Sequence, residues 1–286
     1  MFRRINAGVK RALGLQTPGR HLTVFPDDSF LVSFPKSGNT WARFLVANVI
    51  RPDDAVDFSN VNRIIPGPDV TSHRELLRMT RPRIVKSHQY FDPRYPRVVY
   101  IVRDPRDVAV SQYHFQRKRR LFGDDYPIEA FVRRFIAGQT CDYASWGEHV
   151  ASWLSTRSGG AGFLLLRYED MLQDTARELS RMCSFLGLNV SPEVIHQAVV
   201  RSSAEKMRTL EKSQAQLFAI TKGTRQDVPF VRSANVGGWR ASLPETLVRN
   251  IEAAWAPLMH HLGYELTTRT VSGPSAISLE FKGSAR

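Results

Sequence analysis

At 286 residues with 42% hydrophobic content, the chain can bury one large core, and the lack of repeats or low-complexity tracts excludes an assembly of several small units. Lys and Arg outnumber Asp and Glu by 40 to 27, a formal charge of +13, so the protein attracts anions over long range, whether nucleotides, nucleic acid, anionic membranes or acidic acceptors. Two cysteines, Cys141 and Cys183, exclude a disulfide framework; no Cys/His group has the spacing of a zinc site, and no apolar run approaches the roughly 20 residues that cross a bilayer.

Residues 1–25 form a basic N-terminal segment without the apolar centre of a signal peptide, so a soluble cytoplasmic protein in a reducing compartment is expected. Within it Phe2, Ile5, Val9 and Leu13 recur at helical spacing among Arg3, Arg4, Lys10 and Arg11. Such a stretch either packs on its own domain or frays, or it makes peripheral contact with an anionic membrane. Residues 29–34 (SFLVSF) read as a short buried strand that runs into a Pro and a Gly, and 40–50 as a helix. Further strands are expected at 83–87, 97–103 (RVVYIVR) and 162–166, with helices at 105–119, 170–186 and 245–262. Strands alternating with helices predict an α/β fold, a central parallel sheet flanked by helices, in a single domain over 26–266 with a loose tail at 267–286. Ligands of such sheets collect at the carboxyl ends of the strands.

The sharpest motif, Pro35-Lys36-Ser37-Gly38-Asn39-Thr40-Trp41, joins the first strand to the first helix. Gly38 lets the backbone approach a ligand, successive amides and a helix N-terminus cradle an anion, Lys36 adds a point charge, and Ser37 and Thr40 add hydroxyl donors. Walker A spacing is absent, because Lys36 precedes Ser-Gly with no earlier Gly. Trp41 offers a flat face to a base, or simply joins the core. At the end of the second strand stands Lys86-Ser87-His88, where His88 can act as general base and Lys86 can hold charge developing on a transferred group. From the end of the third strand runs Arg103-Asp104-Pro105-Arg106-Asp107 and on to Ser111; Arg103 and Ser111 can converge on one phosphate. By itself this segment reads better as an N-capped helix with surface ion pairs.

Taken together, in order and on strand-loop-helix units, these three elements resemble the cytosolic sulfotransferase family over about residues 30–263. The resemblance implies a P-loop-like fold related to nucleotide kinases and 3′-phosphoadenosine 5′-phosphosulfate (PAPS) as donor. Adenosine 3′,5′-bisphosphate (PAP) is then the product, and the acceptor a small alcohol, phenol, amine, glycan or lipid, with no nucleic acid as partner. It further implies that Lys36 and the loop Ser37-Gly38-Asn39-Thr40 bind the 5′-phosphosulfate, that Arg103 and Ser111 take the 3′-phosphate, and that Trp41 stacks on adenine. Tyr168 of Arg167-Tyr168-Glu169-Asp170 would reach an adenine nitrogen, and His88 would be the catalytic base, aided by Lys36 and Lys86.

Departures accompany the matches. Arg232, Gly237 and Trp239 fit the family's Arg-Lys-Gly-x-x-Gly-Asp-Trp-Lys closure, but Ser233 and Ala234 replace Lys-Gly. The run from Ser202 to Met207 resembles the family's Thr-Ser-Phe-x-x-Met, with Ala204 where a ring would cover adenine; Pro244-Glu245 breaks the family's dimer motif, leaving the oligomeric state open. Competing readings are a nucleotide-dependent phosphoryl-transfer enzyme and a polyanion-binding protein using Arg117-Lys118-Arg119-Arg120. The acceptor site is expected in loops over residues 53–78, 91–95, 121–143 and 210–228, with Phe91, Tyr95, Phe122, Phe135 and Phe218 as candidate contacts for a partly apolar acceptor and Arg117 to Arg120 and Arg133-Arg134 as candidate contacts for an anionic one.

Overall fold

The computed structural model describes residues 22–232 and 234–267, so the basic N-terminal reading at Phe2 to Leu13, Ser233 and the tail after Thr267 lie outside the described residues. Among those residues, β1 (Ser29–Ser33), β2 (Ile84–Ser87), β3 (Arg97–Val102) and β4 (Phe163–Arg167) form one parallel sheet in the order β2-β1-β3-β4. Val32 pairs with Ser87 and Tyr100, and Val102 with Arg167, so the four strands end along one edge.

Alternation along each strand divides the core. Phe30, Val32, Val98, Tyr100 and Val102 point to one face, where α4 (Pro105–Lys118), α5 (Ile128–Ile136), α6 (Trp146–Arg157) and α11 (Glu245–His261) supply Val108, Phe131, Trp153 and Ile251. Leu31, Val99 and Ile101 point to the other, against α1 (Asn39–Ile50), α8 (Thr175–Leu186), α9 (Pro192–Arg201) and α10 (Ala204–Gln214), which supply Leu45, Met182, Ile195 and Met207. Burial on both sides is why these strands read as nearly continuous apolar runs.

The expected helix over 170–186 is two helices, α7 (Tyr168–Gln173) and α8, parted at Asp174. Asp174 takes φ −142° and ψ 81°, and its carboxylate accepts from the Arg177 amide at 3.0 Å, a helix start that apolar spacing alone conceals. The 245–262 helix is kinked, with non-helical Trp255 two residues before Pro257, whose missing N–H breaks the ladder. The stretch 53–78, expected as loop, contains α2 (Val61–Ile64) and α3 (His73–Arg78), and 121–143 contains α5. Among the described residues no helix is long and apolar enough to cross a membrane.

Candidate active site

Because all four strands point the same way, their carboxyl ends deliver the Lys36 loop, His88, Arg103 and Tyr168 to one place. That place is a cavity of about 930 Å³ lined by Lys36, Gly38, Thr40, Trp41, Lys86, His88, Arg103, Ser111, Tyr168 and Arg232, among others.

The turn from β1 into α1 is held open by two left-handed residues, Lys36 at φ 72° and Gly38 at φ 99°. A Cβ on Gly38 would lie 2.5 Å from Tyr168 Cδ2, so only glycine fits both the angle and the ring above it. Asn39 lines the cavity and also anchors the helix: its Nδ2 donates to Leu31 O at 3.0 Å, while its Oδ1 is buried without a partner. Ser37 does not line the cavity; its hydroxyl is buried and also unpartnered. A spare donor in the Ser37 hydroxyl, beside a left-handed turn at a helix N-terminus, suits an anion cradle.

Lys36 reaches between two rings, its Nζ 4.5 Å from the Phe115 centroid and 4.2 Å from that of Phe230. Burial, then the guanidinium groups of Arg103 and Arg232, pull its pKa down to about 7. Arg103 donates to Lys36 O at 3.3 Å and to Asn235 O at 3.1 Å, and lies 4.3 Å over the Tyr168 ring, with its Nε buried and unpartnered. Arg232 donates to Val110 O at 3.4 Å, one residue before Ser111. Desolvation and Arg103 lower its pKa too, so three cations crowd one pocket that a polyanion would relieve.

The rest of the Arg103 segment is architecture rather than surface ion pairs. Asp104 caps α4, and Arg106 is buried in pairs with Asp104 at 2.7 Å and Glu252 at 2.6 Å. Asp107 accepts from the amides of Gly237 at 2.8 Å and Trp239 at 3.0 Å, clamping the closing segment that carries Arg232 and Ala234 to the cavity.

On the side expected to take adenine, Trp41 meets Tyr168 edge-on at 5.7 Å, with Leu172, Ala204 and Met207 also lining the cavity. Ser202 does not line this cavity. It is fully buried, its hydroxyl accepting from Asn48 Nδ2 at 3.1 Å and its carbonyl from the Trp41 indole at 3.0 Å, so it sets the angle of Trp41.

At the opposite end stands His88. Its Nδ1 is 2.7 Å from Ser33 O, and since a carbonyl only accepts, Nδ1 carries the proton and Nε2 is the basic nitrogen. Burial and the neighbouring Lys86 charge push its pKa down to about 3, so the ring is neutral at physiological pH. His149 fixes it from behind: Nε2 donates to His88 O at 3.1 Å, and Nδ1 accepts from Tyr100 at 2.8 Å. Lys86 lines the same end, where its ammonium meets Asp69 at 2.5 Å. Asp69, Gln112, Gln116, Thr140 and Tyr143 also line the cavity; Asp69, Thr140 and Tyr143 fall within the stretches 53–78 and 121–143 expected to hold the acceptor, although no local motif marks them individually.

Of the candidate acceptor aromatics only Phe122 reaches the cavity. Tyr95 stacks on Phe30 at 3.6 Å, Phe135 and Phe218 are fully buried in the two cores, and Phe91 packs on Trp153, so each of these rings turns into the core rather than the cavity. The basic run from Arg117 is likewise divided. Arg117 pairs with Asp124, Lys118 is buried against the Arg225 and Val228 carbonyls at 2.8 and 2.7 Å, and Arg119 and Arg134 line the cavity. It makes no continuous polyanion surface.

A family model for the sulfotransferase domain matches residues 26–263. The chain is 32% identical over 224 residues to a 3-beta-hydroxysteroid sulfotransferase of Cavia porcellus, covering 75% of this chain and 77% of that protein. It is 29% identical over 258 residues to sulfotransferase 1A1 of Bos taurus, covering 85% and 86%. Among solved structures it resembles a retinol dehydratase in complex with androsterone and the inactive cofactor PAP, with a TM-score of 0.66, 22% identity and coverage of 87% and 84%. A mouse sulfotransferase complexed with PAP gives a TM-score of 0.66, 24% identity and coverage of 83% and 85%.

Proposed function

Since the chain belongs to the sulfotransferase domain family, we propose that its cavity passes the SO₃ group of PAPS to the hydroxyl or amine of a small acceptor, with His88 as general base. One observation carries this reading: an imidazole with a bare Nε2 and a cluster of three cations with unsatisfied neighbours line the same cavity. The donor supplies a sulfur electrophile and a phosphate leaving group. His88 Nε2 takes the proton of the attacking oxygen as the new O–S bond forms. Lys36 lies beside the loop where the S–O bond to phosphate breaks, and receives the electron pair's charge on the bridging oxygen. Arg103, Ser111 and Arg232 hold the remaining phosphate, Trp41 stacks on the base and Tyr168 reaches one of its nitrogens. With the reactants positioned in line, these fixed charges provide most of the rate.

The acceptor end mixes Leu121 and Phe122 with Gln112, Gln116 and Thr140, which suits an acceptor with both an apolar and a polar side. The name of the Cavia porcellus relative supports an alcohol. Labelled PAPS offered with a panel of phenols, alcohols, amines, glycans and lipids tests the reading; no label passing to any member refutes it. A thermal-shift titration adds the comparison of ligands: stabilisation by PAP at low concentration, against ATP with Mg²⁺ or duplex DNA, is the expected order.

The lowered Lys36 pKa gives a further expectation. At pH 8 a group with a pKa of about 7 is mostly uncharged, and a bound polyanion pulls its proton back on. PAP binding at pH 8 therefore takes up close to one proton per site, read by calorimetry in buffers of different ionisation enthalpy. At pH 5.5 Lys36 already carries its proton and adds no uptake. Proton release at pH 8 would contradict the assignment.

A further inference from the structure

We propose that Asp69 is a positioning residue for the transfer: its carboxylate holds the Lys86 side chain beside His88 and supplies the counter-charge that lets the two lie together under the acceptor. The inference rests on the sulfuryl-transfer reading above and adds to it a residue outside the motifs.

Asp69 is not a loose surface carboxylate. Arg43, buried in α1, donates to Ile65 O at 3.0 and 2.5 Å, to Val61 O at 3.2 Å and to Asn62 Oδ1 at 2.7 Å, pinning the turn before it. The Lys86 amide then donates to Pro66 O at 2.7 Å, and the Val70 and Thr71 amides to Gly67 O at 3.0 and 2.8 Å. A Cβ on Gly67 would meet Asp69 Oδ1 at 2.5 Å and Lys86 Cδ at 2.8 Å, so the absent side chain is what lets Asp69 fold onto Lys86. The Lys86 side chain is 4% exposed and that of Asp69 25%, both toward the cavity they line.

The charges here are two cations, Arg43 and Lys86, and one carboxylate. Arg43 has a buried Nη1 without a hydrogen-bond partner among the described residues, and the Asp69 carboxylate is the acid among them that draws on it. Facing Lys86 are Asp69, Arg43 from α1 and His88 after β2; Tyr143, before α6, lines the cavity beside the His88 ring, and His149, on α6, holds the His88 carbonyl. Burial and Arg43 drive the Lys86 proton off, and the Asp69 charge and hydrogen bond keep it on. His88 stays neutral over the working range, so it does not set the alkaline limb of activity. If Lys86 must be charged to hold the sulfuryl oxygens, activity falls as pH rises through its pKa. Removing Asp69 lowers that pKa and moves the limb to lower pH.

The experiment uses the full chain with labelled PAPS and the panel member that wild type turns over. Asp69→Asn is expected to lower kcat at least 10-fold, shift the alkaline limb down by about one pH unit and leave PAP affinity within about twofold. Asp69→Glu keeps the charge and restores an unshifted limb at intermediate kcat. The double variant Asp69→Asn/Lys86→Met falls no further than Lys86→Met alone, because Asp69 acts through Lys86. Additive losses, or an unshifted limb in Asp69→Asn, overturn the proposal. Independently of turnover, ¹³C NMR of methylated lysines, with the Lys86 signal assigned by Lys86→Met, follows its titration. The signal must move to lower pH in Asp69→Asn whether or not an acceptor is found; failure of the panel in wild type would instead count against the sulfuryl-transfer reading. If Asp69→Asn loses PAP binding and so its fold, Asp69→Glu decides: a shifted limb or Lys86 signal in that variant overturns the proposal.

Discussion

Replacing His88 by Ala lowers turnover by roughly 100-fold or more while PAP binds as before. The ring enters the reaction only when the acceptor gives up its proton, through Nε2, because Nδ1 is committed to Ser33 O at 2.7 Å. A pKa pushed down to about 3 keeps that nitrogen unprotonated throughout the physiological range, so the wild-type rate has no acid limb from His88 above about pH 4. It also makes His88 a weak base in the resting protein, and the negative charge of Asp69 helps to stabilise the imidazolium once formed. His88→Asn retains a donor near the Nδ1 position without the basic nitrogen and should be as slow as His88→Ala. A variant at either substitution with near-normal kcat removes His88 from the chemistry.

Replacing Arg103 by Ala weakens PAP binding by about 10- to 100-fold, the size expected for a lost charge-assisted hydrogen bond to an anion, and lowers kcat less. Arg103 also ties the Lys36 loop to the 235 segment through two carbonyls and covers the face of Tyr168, so the adenine contact loosens with it. Two consequences distinguish a ligand contact from a general loss of stability. The Lys36 pKa, held down partly by Arg103, rises in the variant, and proton uptake on PAP binding at pH 8 shrinks. Arg103→Lys keeps the charge but not the fork, and recovers only part of the affinity. Unchanged PAP affinity in Arg103→Ala contradicts the assignment.

Most of the scaffold of the site is legible along the chain. The four strands stand within a residue of their expected bounds, because apolar runs ending at Pro, Gly or charged residues are local signals. The loop at Lys36 and Gly38 is legible for the same reason: a glycine that must take φ 99° and a helix that begins at once need no distant partner to be recognised. The division at Asp174 and the capping boxes Ser72-Glu75 and Ser145-Glu148 were also written locally, in N-cap residues that apolar periodicity overrides.

What the sequence by itself determined is therefore the four strands and the helices after the first and third of them, the parallel sheet and the residues that stand at its carboxyl edge, since each depends on periodicity and turn chemistry over a few neighbouring positions. Only the tertiary structure decided which side chains share the cavity. It turned Ser202 toward Asn48, put Tyr95, Phe135 and Phe218 into the cores, buried Lys118, and set Asp69 on Lys86 across 17 positions. The direction of a side chain and the charge it meets are fixed by packing between segments far apart in the chain, and no local pattern encodes such a contact.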